Sequence, residues 1–353
     1  MKMTGIRKSL KDISWVCEEE MYRADPAYSY STIAKFDREG FEKLDSLFDK
    51  VESPSLLFGS CVDTLLTDGQ EAFDERFFVA DFPEIQDNVK KIVEALFDLY
   101  SDKYEDLNII PDKCIIPITE TYEYQKNWKP ETRAKVIKEK GAEYYNLKYL
   151  AGTKTIITSS LYTDVCDCVS MLKTSEATKW YFQDDDPFDD SIERLYQLKF
   201  KGEHENISLR CMADLIVIDH KNKIIYPCDL KTSYKEEWNF WKSFIEWRYY
   251  IQANLYAEII RQNIEKDDYF KDFKIADYRF IVICNRTRVP LVWEWPYTKT
   301  EVDFEINGVK FINWRNIVKQ LDYYLKNKPQ VPEGIKVNEP NNIAIFILNH
   351  GSN

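Results

Sequence analysis

Asp229 and Lys231 stand two residues apart in the run IIYPCDLKTS, residues 224–233. In an extended strand, residues i and i+2 project from one face. This spacing therefore delivers a carboxylate and an ammonium to one point, with Leu230 turned away. A second acid, Asp214, lies among the apolar residues of ISLRCMADLIVID, residues 207–219. An ionised carboxylate in such company needs a cation or hydrogen-bond donors, and otherwise takes up a proton. If the polar turn Asp219–Asn222 folds the two segments into an antiparallel pair, Asp214 and Asp229 can converge. Two carboxylates at one point favour a divalent cation with oxygen ligands. That set suits phosphodiester hydrolysis: a metal polarises a phosphoryl oxygen and lowers the pKa of a bound water, while the lysine positions the water or stabilises developing charge. One or two magnesium ions would serve.

The D-x-K spacing is weak on its own, since Asp219-x-Lys221 and Asp272-x-Lys274 also match it. Context separates them: Asp229-x-Lys231 lies on an expected strand, follows a strand carrying an acid and precedes a long helix. In that helix Gln252 and Tyr256 stand at i and i+4, on one face, with Arg248 one turn earlier and Tyr249 beside it. The pair either sits hydrogen-bonded at the core margin or faces the metal site and the scissile strand.

The elements that would position these residues are legible from pattern. Strands are expected at Leu195–Lys201, Ile207–Ile218 and Lys223–Lys231 as an antiparallel meander, followed by one long helix from near Glu237 to Ile264 and a buried strand at Tyr278–Cys284. Strict alternation would put Leu209, Cys211, Ala213, Leu215 and Val217 on one face of the second strand and Asp214 on the other. Pro227 marks the third strand as an edge strand or a bulged one. The order β-β-β-α-β with flanking helices is an α/β sandwich. Upstream the chain is mainly helical: residues 28–67 form helical pieces interrupted at Pro54 and Gly59, and Ile85, Val89, Ile92, Val93, Leu96 and Leu99 make a helical stripe. A basic segment, with Lys126, Lys129, Arg133, Lys135, Lys138 and Lys140, belongs to a helix starting near Pro130. It is either a solvated face or an arm that contacts phosphates. A further helix is expected at Trp314–Leu325. We divide the chain into a helical region, 1–194, a core, 195–285, and a C-terminal extension packed on the core, 286–353.

Hydrophobic residues make up 44% of the chain and aromatics 15%, enough for a substantial core. No run spans a bilayer or reads as a signal peptide, which points to a cytoplasmic protein with no membrane partner. The eight cysteines are scattered, and only Cys166 and Cys168 are near neighbours, so reduced thiols are expected rather than a zinc or iron–sulfur site. A net charge of −12 is awkward for phosphate binding. It does not exclude it, because steering depends on where cations cluster and a metal-dependent site itself gathers carboxylates.

The run MADLIVIDHKNKIIYPCDLKTS (Met212–Ser233), followed by Gln252-x-x-x-Tyr256, resembles the PD-(D/E)xK nucleases of the RecB/RecE and lambda-exonuclease group, commonly encoded by phages. The resemblance implies a restriction-endonuclease-like α/β core, a mixed sheet flanked by helices, with helical N-terminal elaborations. It implies that Asp214, Asp229 and the main-chain carbonyl of Leu230 hold Mg2+ or Mn2+, that Lys231 is the catalytic lysine, and that Gln252 and Tyr256 organise the site or touch DNA. Arg248, Tyr249, Lys126, Lys129 and Arg133 are the candidate nucleic-acid contacts. Upstream, YSYSTIAKF (Tyr28–Phe36) and the Gly59-x-x-x-Asp63 segment look similar to a family element whose histidine binds metal. Asp63 stands in the histidine's place, as a hard ligand fit for the same ions. Ala213 departs from a common glycine position. The implied activity is a DNA exonuclease working on ends in phage recombination, in host cytoplasm, with a single-strand annealing or recombination protein as a partner. A structure-specific endonuclease and a non-catalytic nucleic-acid-binding protein are the alternatives.

Overall fold

The computed structural model describes residues 7–49, 51–184, 188–306 and 308–327, and the backbone of 335–338 and 343–346. The chain divides into two compact units, Met1–Gly59 with Cys168–Asn353, and Ser60–Asp167. These are not the boundaries expected at 194 and 285. The N-terminal segment belongs with the sheet because it is bonded to it: Tyr28 N–H donates to the Ser208 carbonyl and Arg210 N–H to the Tyr28 carbonyl, both at 3.0 Å. Leu10, Ile33 and Phe36 lie in the same apolar core as the sheet.

The first unit is a mixed α/β structure around a six-stranded sheet. Strands β1 (Ile192–His204), β2 (Ile207–Asp219) and β3 (Ile224–Ser233) run as an antiparallel meander. The short β4 (Lys274–Ile275) and then β5 (Tyr278–Cys284) pair parallel to β3, and β6 (Pro290–Trp295) closes the sheet antiparallel to β5. The sheet order is thus β1-β2-β3-β5-β6, with β4 beside β3. Pro227 lies in a central strand, where an edge strand or a bulge was expected. Its neighbour Ile225 accepts from Ala276 N–H, so odd-numbered residues of β3 face the β4/β5 side. The missing proline N–H falls in the gap between the last residue of β4 and the first of β5, where no ladder bond is lost.

Helices cover the sheet. The expected single helix from Glu237 to Ile264 is broken: a 3-10 turn at Glu237–Asn239 leads into one helix, Phe240–Glu246, and a second begins at Tyr249. The break sits at Arg248, whose φ is 58°. We label the helices α1 (Tyr30–Glu39), α2 (Phe240–Glu246), α3 (Tyr249–Ile264) and α4 (Trp314–Asn327). Helix α3 is buried almost all round, its polar side chains Gln252, Asn254 and Glu258 included. It packs in one core with the sheet, α1 and α4. Its close approach to β1 depends on Gly202, where a Cβ would come within 2.8 Å of Gln262 Oε1 and 3.1 Å of Ile259 Cγ1.

The second unit is mostly helical. Helix Asp87–Tyr100 buries Val89, Ile92, Val93 and Leu96, while Ile85 precedes it and Leu99 is exposed, so the expected stripe is narrower than its sequence suggests. A 22-residue helix, Pro130–Ala151, packs against it, and Phe77–Val79 pairs parallel to Thr155–Ile157. Helix Pro54–Asp63 runs from the first unit into the second. Pro54 starts this helix rather than interrupting it, a position where its missing N–H costs nothing. Gly59 lies inside it, where a Cβ would stand 3.1 Å from Thr232 Oγ1 of β3. All eight cysteines are free thiols. Among the described residues, no helix is long and apolar enough to cross a membrane.

Candidate functional site

Asp214 occupies a position that both neighbouring ladders skip. On one side, Tyr196 pairs with Leu215 and Leu198 with Ala213, leaving Gln197 and Asp214 opposed but unladdered. On the other, the β2–β3 ladder ends at Leu215 and Cys228, one pair short of Asp214 and Asp229. Gln197 has φ 52°, the left-handed region that a residue with a side chain rarely enters inside a strand. The alternation changes phase here. Leu209, Cys211 and Ala213 share the main core with Ile216 and Ile218, so strict alternation through Leu215 and Val217, expected from sequence, does not hold. Beyond the end of the ladder, Leu230 N–H donates to Asp214 Oδ2 at 3.0 Å. The first acid therefore lies beside the residue that follows the second.

Asp229 is almost fully buried and Lys231 partly so, with Asp229 Oδ2 2.6 Å from Lys231 Nζ. Gln252, buried on α3, donates from Nε2 to Asp229 Oδ1. Its Oε1 is buried with no hydrogen-bond partner among the described residues. Burial by itself would depress the Lys231 ammonium. The Asp229 carboxylate, then Tyr249 and Asp214, outweigh it and hold the pKa above its ordinary value. Tyr249 covers the lysine, with Nζ 4.6 Å from its ring centroid, and stacks in turn on Phe240 and Phe280 at 5.6 Å each. Tyr256 is buried one turn beyond Gln252; burial first, and then charges including Asp229 and Asp214, push its phenol well above the ordinary range.

Tyr278 was not singled out by the sequence reading. It is fully buried at the start of β5, with its ring 6.4 Å from that of Tyr256, and its hydroxyl has no partner among the described residues. Burial first, then Asp229, Tyr256 and Asp214, raise its pKa. A tyrosine opening the otherwise apolar run YRFIVIC was the available signal.

The other candidate residues fall elsewhere. Arg248 Nε donates to Asp37 Oδ2 at 2.6 Å and its Nη1 to the Ile245 carbonyl at 2.6 Å, so this side chain pins the helix break to α1. Burial pushes the Asp37 carboxyl up despite that guanidinium. Tyr249 lies against Lys231 and the core rings. In the second unit, Lys126 and Lys129 are exposed, with Lys126 paired to Glu123. Arg133 is a correction: it is buried, paired with Glu120 at 3.2 Å, and belongs to the inward stripe Arg133, Ala134, Ile137, Gly141 and Tyr145. A side chain on that stripe is not a free phosphate contact. Asp63 ends its helix half-buried in the second unit.

The residues present fit a hard divalent cation in donor chemistry. Asp214 and Asp229 supply carboxylate oxygens. Leu230 turns its N–H toward Asp214 past the end of the ladder, and in an extended residue the carbonyl follows to the same side. Among the described residues, no group of three or more His, Cys, Asp or Glu side chains is gathered to hold a metal ion, so a cation here would rest on two carboxylates and main-chain oxygen.

No family model matches the chain, and no curated protein does. Among solved structures the chain is similar to a provisionally named exonuclease from Eubacterium rectale, at 14% identity and a TM-score of 0.38, over 92% of this chain and 85% of that one. A similarity at this level carries no argument about activity, and the functional reading rests on the residues themselves.

Proposed function

We propose that this chain is a Mg2+- or Mn2+-dependent nuclease that hydrolyses phosphodiester bonds in DNA, acting on ends as an exonuclease. The observation that carries the reading is the cluster of Asp229, Lys231 and Gln252, with Asp214 opposite at the point where two ladders release the backbone. Asp214, Asp229 and the Leu230 carbonyl would hold the cation, which when bound supplies Lewis-acid chemistry and an acidified water. Lys231 donates hydrogen bonds to the attacking water or to the phosphoryl oxygens as charge builds there. Gln252 fixes one oxygen of Asp229 and keeps its own Oε1 free to accept from a water. Tyr249 confines the ammonium between a ring and a carboxylate. Tyr256 and Tyr278 supply buried hydroxyls near both acids. The ligand role of Asp63 rests on the family resemblance alone, as does a recombination setting.

Purified protein given linear DNA and either cation should release nucleotides, whereas Lys231→Ala protein should not. Covalently closed circular DNA separates the two modes of attack. Its cleavage by the wild type would replace the exonuclease reading with an endonuclease using the same residues. Undiminished activity in Lys231→Ala would end the assignment of the lysine.

A further inference from the structure

A phosphate backbone needs cations, and in a chain of net charge −12 they must be supplied locally. Around the site several are already shared with a carboxylate. Lys231 Nζ lies 2.6 Å from Asp229, Lys235 Nζ donates to Glu246 at 2.7 Å, and Arg248 Nε donates to Asp37 at 2.6 Å. Arg38, in the last turn of α1, is held differently. It makes no ion pair or hydrogen bond among the described residues, although the Asp37 carboxylate is its chain neighbour. Its guanidinium carbon lies instead over the Trp247 ring, 4.8 Å from the centroid. Trp247 is 43% exposed, so the pair faces solvent.

Two consecutive residues of α1 thus meet two consecutive residues of the helix break, Asp37 with Arg248 and Arg38 with Trp247. Tyr30 fastens the same place from the start of α1. Its hydroxyl donates to the Trp247 carbonyl at 2.7 Å, and its ring stands 6.2 Å from that of Tyr249, the ring that covers Lys231. Only Tyr30 and Tyr249 therefore intervene in the chain of contacts from the Arg38–Trp247 pair to the lysine. Burial raises the pKa of both phenols; at each of them the Asp229 charge adds to the rise and the Arg38 charge opposes it. The same two rings register the catalytic acid and this guanidinium.

A contact with a π-face draws on positive charge and takes up no N–H. The planar fork of five donors stays available, and the indole fixes its direction in advance. A fork of that shape matches two oxygens of one phosphate. We propose that Arg38, held on Trp247, binds a backbone phosphate of the DNA strand next to the one that is cut. This rests on the nuclease reading and adds to it a cation that no carboxylate has claimed. Phosphates carry no sequence, so the contact holds the strand without reading its bases.

The test is equilibrium binding of a labelled linear duplex by the full-length protein in EDTA, where no cleavage occurs, across a series of KCl concentrations. Wild-type affinity should fall linearly with salt on logarithmic axes. Arg38→Ala should weaken binding about ten-fold at low salt, the scale of one charge-assisted contact, and make the slope shallower by about 0.9. Arg38→Gln, which keeps a polar stem beside the ring, should behave like Arg38→Ala, with an unchanged circular dichroism spectrum. Arg38→Lys keeps the charge and loses the fork, so it should retain the wild-type slope and lose only part of the affinity. Wild-type slope and affinity in Arg38→Ala and Arg38→Gln would overturn the proposal. A loss of affinity with no change of slope would overturn it too, because the residue would then act through the fold and not on a phosphate, and so would wild-type protein that shows no salt-dependent binding. The nuclease reading fails separately, if wild-type protein with Mg2+ or Mn2+ cleaves no DNA.

Discussion

Helix α3 carries two buried amides two residues apart, and they are treated differently. Asn254 is fully engaged: Nδ2 donates to the carbonyls of Tyr297 and Thr300, and Oδ1 accepts from Trp295 Nε1 and Thr300 Oγ1. Farther along, Glu258 is closed in the same way by Arg261, Gln262 and Arg315. Gln252 instead gives its donor to a buried carboxylate and leaves its acceptor open. One face of the helix is polar in order to hold the fold, and there every valence is met. The face that carries Gln252 retains an unmet group, the pattern expected where a further ligand completes the set.

The largest expected effect breaks this contrast on its functional side. Lys231→Ala should lower kcat/KM by about 10³, on the order of 4 kcal/mol of transition-state stabilisation, measured well below the variant's Tm, which the unpaired Asp229 carboxylate should lower. A next test needs no catalysis. Adding Mg2+ or Mn2+ at a hundredfold its Kd should raise wild-type stability by about 2.7 kcal/mol, read as a Tm increase. In Asp214→Asn the increase should vanish. The metal-free variant should melt at or above the wild type, because one of two opposed carboxylates has lost its charge while its acceptor for Leu230 N–H remains. A metal-free variant that melts well below the wild type would make Asp214 a structural acid and the comparison would fail.

The satisfied face of α3 should behave oppositely. Asn254→Ala strands the Thr300 carbonyl and leaves the Tyr297 carbonyl and Trp295 Nε1 with Thr300 Oγ1 alone, and should cost roughly 2 kcal/mol of stability. Its activity, measured well below its Tm, should stay within about two-fold of wild type. Thermal melts and single-temperature rates on the same preparation check both halves.

How much of this was legible before the fold? The two-residue spacing of Asp229 and Lys231 gave a common face because β3 is regular there, and Gln252 and Tyr256 fell on one side of a regular helix. What escaped was every departure from regularity. The phase change at Asp214 depends on Gln197 in the partner strand at a φ that its residue type does not announce. The helix break at Arg248 depends on Asp37, more than two hundred residues earlier in the chain. Without that break Tyr249 would not begin a new helix over Lys231. Arg133 was misplaced because charge alone does not reveal a face, and its burial follows from the apolar residues one turn on. Pro227 was read as the mark of an edge or a bulge because the change of partner from β4 to β5 has no sequence mark.

Glu193 sharpens the comparison at its smallest scale, as an acid whose two oxygens are both engaged. Ser9 Oγ donates to Oε1 at 2.6 Å, while His220 Nε2 lies 3.1 Å and Arg7 3.7 Å from Oε2. Burial alone would raise this carboxyl, but the bonds from His220 and Ser9 and the Arg7 charge outweigh it and hold the pKa below its ordinary value. A group held low in the folded state contributes stability that is complete above its unfolded pKa and is lost as pH falls through the folded one. Glu193→Gln should therefore be less stable than wild type by about 1 kcal/mol near neutrality, and the two should converge as the medium is acidified below the ordinary glutamate range. Denaturant melts of both proteins across that range measure the gap. A gap that widens on acidification would reverse the sign assigned here.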